Sequence, residues 1–348
     1  MRLSDREWGE FELSDIFKNY HGKRLIKENR KNGNIPLLTA TENMQGISSF
    51  ISNNNMKTYV DFISIDMFGH SFYHNYLCCG DDNIYFFINN KISNFGKLFI
   101  VSCINKNSNN FSYGKQFRQH NADKNKILLP TTPQGTPDYD FMEDYIKELM
   151  SKKRQKYIEC VKEKMEDLKT VVGWGRVLND REWREFRIEE LFNVSGTITT
   201  HPSVLIKGGN IPRITCSATN NGLDDFYKNT YTENGGVITV DSATVGFTSY
   251  QNYYFIATDH VEKIFFKNGK KMNYFCGLFI KQAIDSAVNK KYNYGYKFSQ
   301  SRIKKQIILL PTTQQGDPDY EFMENYTKRL IYNKLLKYLE YITKATKN

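Results

Sequence analysis

The sequence contains an internal repeat, which constrains the fold because two copies of one segment are expected to adopt the same structure. Three stretches recur in the same order along the 348 residues: 5–11 at 180–186, 33–36 at 209–212, and 127–143 at 308–324. The offset between the copies drifts from 175 to 181, so the second copy has gained six residues internally. The chain is therefore a tandem duplication, and we call its two copies the first and the second module.

The two modules agree in some stretches and differ in others. Their two ends and a central Gly-Asn-Ile-Pro segment match. Three pairs of intervening stretches are unalike: 18–32 against 193–208, 41–46 against 217–222, and most of 66–112 against 242–293. A common scaffold with different surface loops is typical of two related readers of different targets. Neutral drift of loops leaves the same pattern, so both interpretations stay open on this observation.

Each module is predicted to be an α+β domain, a mixed α/β head that a long helix follows. Short stretches that are rich in β-branched and aromatic residues and bounded by Asn and Gly indicate strands. The predicted strands of the first module are 35–39, 62–66, 84–88 and 97–101. Those of the second module are 211–216, 237–241, 253–256 and 263–266.

Two long helices are predicted, each with a clear start signal. Pro137-Asp138 and Pro318-Asp319 favour helix starts, because Asp caps free N–H groups and carboxylates are favoured in the first turn. Apolar residues then recur three or four positions apart, to about Thr170 and Thr346, which is typical of a packed helical hairpin or short coiled coil. Neither helix has a globular body of its own to pack on, so we expect the two helices to form an antiparallel coiled-coil pair related by a pseudo-twofold axis. The predicted domains are the modules 1–137 and 176–318, the helix and linker 138–175, and the C-terminal helix 319–348.

Charge and composition favour a polyanionic partner. The net charge is +10 and the isoelectric point is near 9.0, and basic side chains near phosphates release condensed counterions. No apolar run is long enough to span a membrane and the start lacks the apolar core of a signal peptide, so we expect a cytoplasmic protein. The six cysteines have no paired spacing and are expected to be buried thiols.

No familiar catalytic motif occurs in the sequence. Phosphate-binding loops, the amino-methyltransferase signature and the Gly-x-Ser-x-Gly elbow are all missing. Pro137-Asp138 resembles a Pro-Asp nuclease motif, but helix capping explains it better. His70 and His74, followed by Cys78 and Cys79, could supply zinc ligands, although the spacing fits no familiar zinc module. An unrecognised DNA-modifying or cleaving enzyme and a protein-protein scaffold remain alternatives.

The order of motifs resembles the target recognition domains of restriction-modification specificity subunits. It consists of a Trp-to-Phe segment, Gly-x-Ile-Pro, a Gly-to-Gln segment, Leu-Pro and a long helix. These motifs lie at 8–17, 33–36, 114–119 and 129–130, and again at 183–192, 209–212, 295–300 and 310–311. The resemblance covers nearly the whole chain twice, and the compact length favours a type IIB-like over a type I subunit.

The resemblance implies a non-catalytic subunit that reads double-stranded DNA. In that family each head reads one half of a split site, and the helices set the gap between the halves. The helices also dock adenine-N6 methyltransferase or fused restriction-modification subunits. S-adenosylmethionine and Mg²⁺ are then expected on those partner subunits, and no cofactor or metal is expected in this chain.

Candidate contact residues were chosen in the divergent loops, because base edges are read by Arg, Lys, Asn, Gln and hydroxyl groups. In the first module they are Lys23, Arg24, Lys27, Arg30, Asn43, Gln45, Lys115, Gln116 and Arg118. In the second module they are His201, Lys207, Asn220, Asn221, Thr248, Tyr296, Lys297 and Gln300. The predicted partner-binding residues of the helices are Met142, Tyr145, Leu149, Met323, Tyr326 and Leu330. The core is predicted to hold Trp8, Phe17, Trp183 and Phe192.

Overall fold

The structure is a computed structural model that describes residues 2–171, 173, 175 and 177–344. Val172 and Trp174 of the predicted linker, and residues 345–348 of the predicted C-terminal helix, lie outside the described residues. The chain forms two compact units, Met1–Tyr157 and Ile158–Asn348. The first unit holds the first module, and the second unit holds the second.

The first module alternates short strands with few helices, and one long helix follows it. Its strands are β1 (Trp8–Glu12), β2 (Lys18–His21), β3 (Asn32–Leu38), β4 (Ile47–Ile51), β5 (Phe62–Asp66), β6 (Ser71–His74), β7 (Cys79–Gly80), β8 (Ile84–Ile88) and β9 (Lys126–Pro130). Its helices are α1 (Leu13–Ile16), α2 (Asn94–Lys106), α3 (Gln119–Lys124) and the long α4 (Tyr139–Asp167).

The second module repeats that order element by element. Its strands are β10 (Trp183–Arg187), β11 (Phe192–Gly196), β12 (Lys207–Ile214), β13 (Leu223–Tyr227), β14 (Val237–Asp241), β15 (Thr248–Gln251), β16 (Ile256–Ala257), β17 (Val261–Phe266) and β18 (Ile307–Pro311). Its helices are α5 (Ile188–Leu191), α6 (Tyr274–Val288), α7 (Gln300–Lys305) and the long α8 (Tyr320–Lys344).

Sheet topology is identical in the two modules, which confirms that the repeat is structural. The first module has a four-stranded sheet β2-β8-β5-β6, a three-stranded sheet β4-β3-β7 and a pair β1-β9. The second has β11-β17-β14-β15, β13-β12-β16 and β10-β18. The predicted mixed α/β fold with two tandem modules and long helices is therefore confirmed.

The shared Gly-Asn-Ile-Pro segment lies at a β-bulge. In β3 and β12 the register shifts next to this segment. A Cβ on Gly33 would lie 2.5 Å from the backbone carbon of Ile51, and one on Gly209 would lie 2.0 Å from the carbonyl oxygen of Tyr227. Only glycine permits so close an approach of two backbones, which explains why the motif recurs.

Each long helix begins at the predicted aspartate. The Phe141 N–H donates to Asp138 Oδ1 at 3.0 Å, and the Phe322 N–H donates to Asp319 Oδ1 at 2.9 Å. Both aspartates are thus N-caps, and the alternative of a nuclease motif is not supported. The first turns of α4 and α8 pack into the cores of their modules.

An arginine fastens each helix start to the entry of its module. Arg6 Nη1 lies 3.4 Å from Asp138 Oδ2, and the Arg6 guanidinium lies 4.3 Å above the ring of Phe141. Arg181 repeats both contacts in the second module, at 3.2 Å from Asp319 and 4.5 Å from the ring centre of Phe322. We call this arrangement the Arg-Asp-Phe clamp. It couples the beginning of each module to the helix that leaves it.

The far end of α4 belongs to the second unit, together with α8. The 3-10 turn Lys169–Val171 contacts α8. Three apolar side chains of this stretch, Val161, Leu168 and Val171, are almost fully buried. Coiled-coil pairing along the full length of the helices stays a prediction, as do the domain boundaries. No helix in the described residues is long and apolar enough to cross a membrane.

Two of the predicted strands were wrong in whole or in part. Residues 97–101 lie in the middle of α2, where Ser93 caps the helix by accepting a hydrogen bond from the Gly96 N–H at 3.1 Å. A short run of apolar residues occurs both in a buried helix and in a buried strand, and periodicity alone does not distinguish the two. Residues 253–256 are mostly loop, because only Ile256 belongs to a strand.

Gly209→Ala tests the bulge. We expect it to lower the free energy of unfolding by about 1–3 kcal/mol or more, because the methyl group meets rigid backbone. Gly196→Ala, in β11 of the same module, is the matched control: its Cβ would meet only a Glu262 carboxylate oxygen at 3.8 Å, so we expect less than about 0.5 kcal/mol. Urea unfolding measures both, and equal stability of the two variants would contradict the close approach.

Candidate nucleic-acid interface

Three loops of the first module contact one another at one edge. These are the 3-10 turn Asn43–Gly46, the β5–β6 loop and the segment 111–117. Glu42 Oε1 lies 3.4 Å from His70 Nε2, which joins the first loop to the second. The Phe117 N–H donates to the Met67 carbonyl at 2.8 Å, which joins the second to the third. Four predicted DNA contacts therefore lie on contiguous loops: Asn43, Gln45, Lys115 and Gln116.

A second group of predicted contacts surrounds the β7–β8 turn. Arg24 Nη1 lies 4.0 Å from the Asp82 carboxylate, and Arg118 Nη1 donates to Asn83 Oδ1 at 3.3 Å. Arg118 also hydrogen-bonds the side chain of Gln116, so this group adjoins the loop edge. Since Arg24 and Arg118 are exposed, the two guanidinium groups remain available to phosphate oxygens.

The other predicted contacts of the first module differ in how far other residues hold their side chains in place. Lys23 Nζ donates to the Asn55 carbonyl at 3.3 Å, and Lys27 is exposed. Arg30 is held in place by the Leu25 carbonyl at 3.5 Å and the Ser49 hydroxyl at 3.4 Å. Arg30 is thus part of the loop framework, whereas Lys23 and Lys27 extend from it.

The second module places its predicted contacts on corresponding loops. Asn220 is exposed, whereas the Asn221 amide donates to the Tyr250 carbonyl at 3.0 Å and so anchors its turn. Lys207 forms an ion pair with Asp225 at 3.6 Å, and His201 Nδ1 lies 2.7 Å from the Ser203 hydroxyl. Of these residues, Asn220 has the freest side chain for a base edge.

Thr248 does not fit its predicted role. Its side chain is buried and its hydroxyl is hydrogen-bonded to Asp285, so a base edge cannot reach it without breaking the strand. Gln300 is half-buried and donates to Glu262 at 2.8 Å. Tyr296 is about half exposed, with the Arg302 guanidinium 4.0 Å from its ring centre, and the adjacent Lys297 is half-buried.

Two segments of the chain carry its surplus of positive charge. Residues 83–122 and 286–316 contain no Asp or Glu, and we call them the basic segments. Their basic residues are Lys91, Lys97, Lys106, Lys115 and Arg118 in the first segment, and Lys290, Lys291, Lys297, Arg302, Lys304 and Lys305 in the second. Because these eleven charges match the whole net charge of +10, the rest of the chain is close to neutral. Lys97 is buried and paired with Asp61 at 2.7 Å, and the surplus on the other ten side chains favours a polyanion as the partner of these segments.

Both modules hold a left-handed turn that presents a side chain outward. Met44 and Gln45 have φ of 48° and 56°, and Asn220 and Asn221 have φ of 51° and 56°. Asn tolerates this conformation but Met does not, and Met44 is nevertheless 68% exposed. Burial therefore does not explain the strained residue. Met44 was not among the predicted contacts, because polar side chains read base edges and methionine is apolar, whereas its neighbours Asn43 and Gln45 are polar.

Two tyrosines at loop tips were also missed. Tyr113 is 81% exposed and Tyr294 is 78% exposed. Both precede a glycine, and this Tyr-Gly pair occurs in both modules at the start of the Gly-to-Gln segment. The signal that could have found them is an aromatic residue that the two modules share beside a turn glycine.

The candidate zinc ligands are buried or form other interactions. His74 is fully buried between the hydroxyls of Ser64 at 2.8 Å and Tyr76 at 3.1 Å, and burial lowers its pKa to about 4. Burial also raises the pKa of Cys78 to about 12, which disfavours the thiolate that binds metal. Among residues 2–171, 173, 175 and 177–344, no three His, Cys, Asp or Glu side chains cluster as metal ligands do.

The predicted partner-binding residues separate into buried and exposed sets. Met142 and Met323 are fully buried in the cores of their own modules, so they cannot contact a partner, because the first helical turn faces the module. Tyr145 packs partly on the first core. Leu149 and Leu330 are 37% and 42% exposed and remain available.

Tyr326 and Leu330 line an open groove of about 960 Å³ within the second unit, between α6, β18 and α8. Its apolar lining includes Leu309, which is 53% exposed, and Trp183. Trp183 was predicted to be core but is 36% exposed, whereas Trp8, Phe17 and Phe192 pack in or against the cores as predicted. The groove gives the exposed helix residues a larger apolar surface.

The chain is similar to known specificity proteins in sequence and in fold. The family model "Type I restriction modification DNA specificity domain" matches residues 5–159 and 180–341. The specificity subunit S.BcgI of a type II restriction enzyme from Heyndrickxia coagulans is 28% identical over 337 residues, which cover 93% of this chain and 94% of that protein. The crystal structure of a type I restriction-modification S subunit from M. genitalium matches with a TM-score of 0.52 at 12% identity. That match covers 99% of this chain and 95% of the other.

The buried His74 predicts a pH dependence of stability. Between pH 6.5 and 4 the unfolded chain takes up a proton that folded His74 does not, so the free energy of unfolding falls as the pH falls, by up to about 3 kcal/mol. We expect His74→Gln to flatten this part of the slope. His120→Gln, at an exposed site of the same module, is the control. Identical slopes for His74→Gln and the wild type, in urea unfolding from pH 7 to 5, would rule the effect out.

Proposed function

The chain belongs to the family of type I restriction-modification DNA specificity domains, and from that premise we propose that it reads a bipartite, asymmetric DNA site, one half with each module. As a specificity subunit it supplies recognition and leaves catalysis to others. The observation that carries the proposal is one scaffold present twice with different chemistry on matching loops, such as Met44-Gln45 against Asn220-Asn221. Two different half-sites follow from two different loop sets.

The division of labour within a module follows from its charges. Exposed polar side chains on the loop edge, such as Gln45 and Asn220, are suited to hydrogen bonds with base edges. The basic segments supply phosphate contacts, which set position and most of the affinity but carry no sequence information. Arg24 and Arg118 flank the loop edge of the first module and serve this positioning role.

The proposed partner is an adenine-N6 methyltransferase subunit, in the cytoplasm. It would bring S-adenosylmethionine, and a restriction partner would bring Mg²⁺, while this chain positions both on the DNA. The target adenine has to leave the base stack for methylation, and the pocket that receives it is assigned to the partner. The apolar groove along α8, with Tyr326 and Leu330, is the proposed docking surface on the second unit.

Selection of bound duplexes from a randomised pool, at two salt concentrations, tests the proposal. The chain is used alone and together with a candidate adenine-N6 methyltransferase subunit. We expect two unlike half-sites at a fixed separation, and an affinity that falls steeply with salt. Binding without any sequence preference under both conditions would overturn the bipartite reading, and no binding at all would favour the scaffold alternative.

Loop substitutions assign the half-sites to modules. We expect the double variant Asn43→Ala, Gln45→Ala to relax the preference in one half-site by about 1–3 kcal/mol per lost base contact and to leave the other unchanged. Asn220→Ala should do the same to the other half only. Selection from the same pool measures both variants, and relaxation of both half-sites by one variant would contradict one reader per module.

Leu330→Asp tests the docking groove. A carboxylate in an apolar interface loses its hydration without a partner, so we expect clearly weaker co-purification of the methyltransferase. Leu336→Asp is a matched control on the same helix, 39% exposed against 42% for Leu330, and outside the groove lining. A pull-down with equal recovery for both variants would exclude this surface.

A further inference from the structure

Each module carries a two-residue hairpin with a tyrosine at its tip. In the first, Ser112 and Lys115 exchange backbone hydrogen bonds of 3.0 and 3.1 Å around Tyr113-Gly114. In the second, Asn293 and Tyr296 exchange bonds of 3.2 and 3.0 Å around Tyr294-Gly295. The two tips are therefore the same local structure.

The base of each hairpin is fastened to the module core. Phe111 and Phe117 flank the first tip with ring centres 5.3 Å apart, and Tyr292 and Phe298 flank the second at 4.5 Å. Phe117 and Phe298 are fully buried. Each tip is thus positioned by the scaffold even though its tyrosine is about four-fifths exposed.

The exposed tyrosines are identical in the two modules, and each stands directly before the shared Gly-to-Gln segment. An exposed side chain gains no burial energy, so packing does not account for its identity in both modules. Phe50 and Phe226 are another exposed aromatic pair, but they lie opposite Pro36 and Pro212 in their hairpins, and this pairing accounts for them. A residue that is shared, exposed and held in position suits a ligand feature that both half-sites have in common.

The charges around the tips identify that ligand as DNA rather than a protein surface. Both tips lie within the basic segments, where Asp and Glu are absent. Lys115 follows the first tip directly, and Lys297 Nζ lies 5.1 Å from the ring centre of Tyr294. In duplex DNA the base faces are stacked, so a sequence-independent contact meets the sugar-phosphate backbone, to which tyrosine hydroxyls and lysines are suited.

We propose that Tyr113 and Tyr294 are a matched pair of sequence-independent DNA contacts, one for each half-site. The ring packs against a deoxyribose of the duplex, and the phenol hydroxyl donates to a phosphate oxygen. The loop-edge residues then read bases from a position that the tip has set. This inference rests on the proposed function, because it assigns to each module one contact that does not depend on sequence.

The test measures affinity and sequence preference separately. The full chain, alone and with the candidate methyltransferase subunit, is titrated with the selected duplex and with a scrambled duplex. We expect Tyr113→Ala and Tyr294→Ala each to weaken the binding of both duplexes about 5- to 100-fold, because each removes the ring together with a hydrogen bond to a charged phosphate. The ratio of the two affinities should stay constant. The Tyr→Phe variant at either position should lose less affinity than the alanine variant, because the ring remains. Tyr341→Ala, which removes a 69% exposed tyrosine from α8, is the control and should bind as the wild type does.

Three results would overturn the inference. Unchanged affinity in both alanine variants would remove the contact, and a loss confined to one base position would make it a sequence reader. Loss of methyltransferase recovery with normal DNA binding would assign the tips to a protein partner. If the wild-type protein showed no preference for a bipartite site, that result would instead contradict the proposed function. Unaltered melting temperatures of the variants exclude misfolding as the cause.

Discussion

The pairing of the first strand of a module with its last is the constraint on which the architecture depends. Trp8 lies opposite Pro130 in the β1–β9 register, and Trp183 lies opposite Pro311 in the β10–β18 register. The chain therefore leaves each module where it entered. The Arg-Asp-Phe clamp uses this proximity, because an arginine before the first strand can reach the cap of a helix that starts well over a hundred residues later.

This closure separates what holds a module together from what makes it different from its copy. The strand pairs, the bulge at Gly33 and Gly209, and the capped helices recur because backbone geometry and buried cores allow few alternatives. The loops contribute little to the cores, so their chemistry can change at small cost in stability. Charge is unevenly distributed as well, since the basic segments carry the surplus and the rest of the chain is nearly neutral. In the proposed function, affinity for DNA and choice of sequence therefore depend on different side chains of one module.

Much of the fold could be predicted because repeats, caps and buried strands leave local signals. Strands β5, β8 and β14 have the predicted bounds, and both helix starts are correct. Helix α2 was mistaken for a strand because a five-residue window cannot separate a buried helix face from a buried strand. The candidate site was less predictable: Thr248 has the right chemistry but is buried, and Tyr113 was not among the predicted contacts although it is exposed. Exposure is a tertiary property, and residue type alone does not determine it.

Adjacent entry and exit strands have a consequence for how such a chain can diversify. A segment whose two ends lie side by side can be exchanged as a cassette, because the incoming segment has to match only one strand pair and one clamp. The duplicated Asp-Arg-Glu-Trp stretches at 5–8 and 180–183, together with the Leu-Pro-Thr-Thr stretches at 129–132 and 310–313, supply matching crossover points. Recombination between two such genes at these points would produce intact hybrid proteins. A new pairing of half-sites would then arise in one step, without passing through misfolded intermediates.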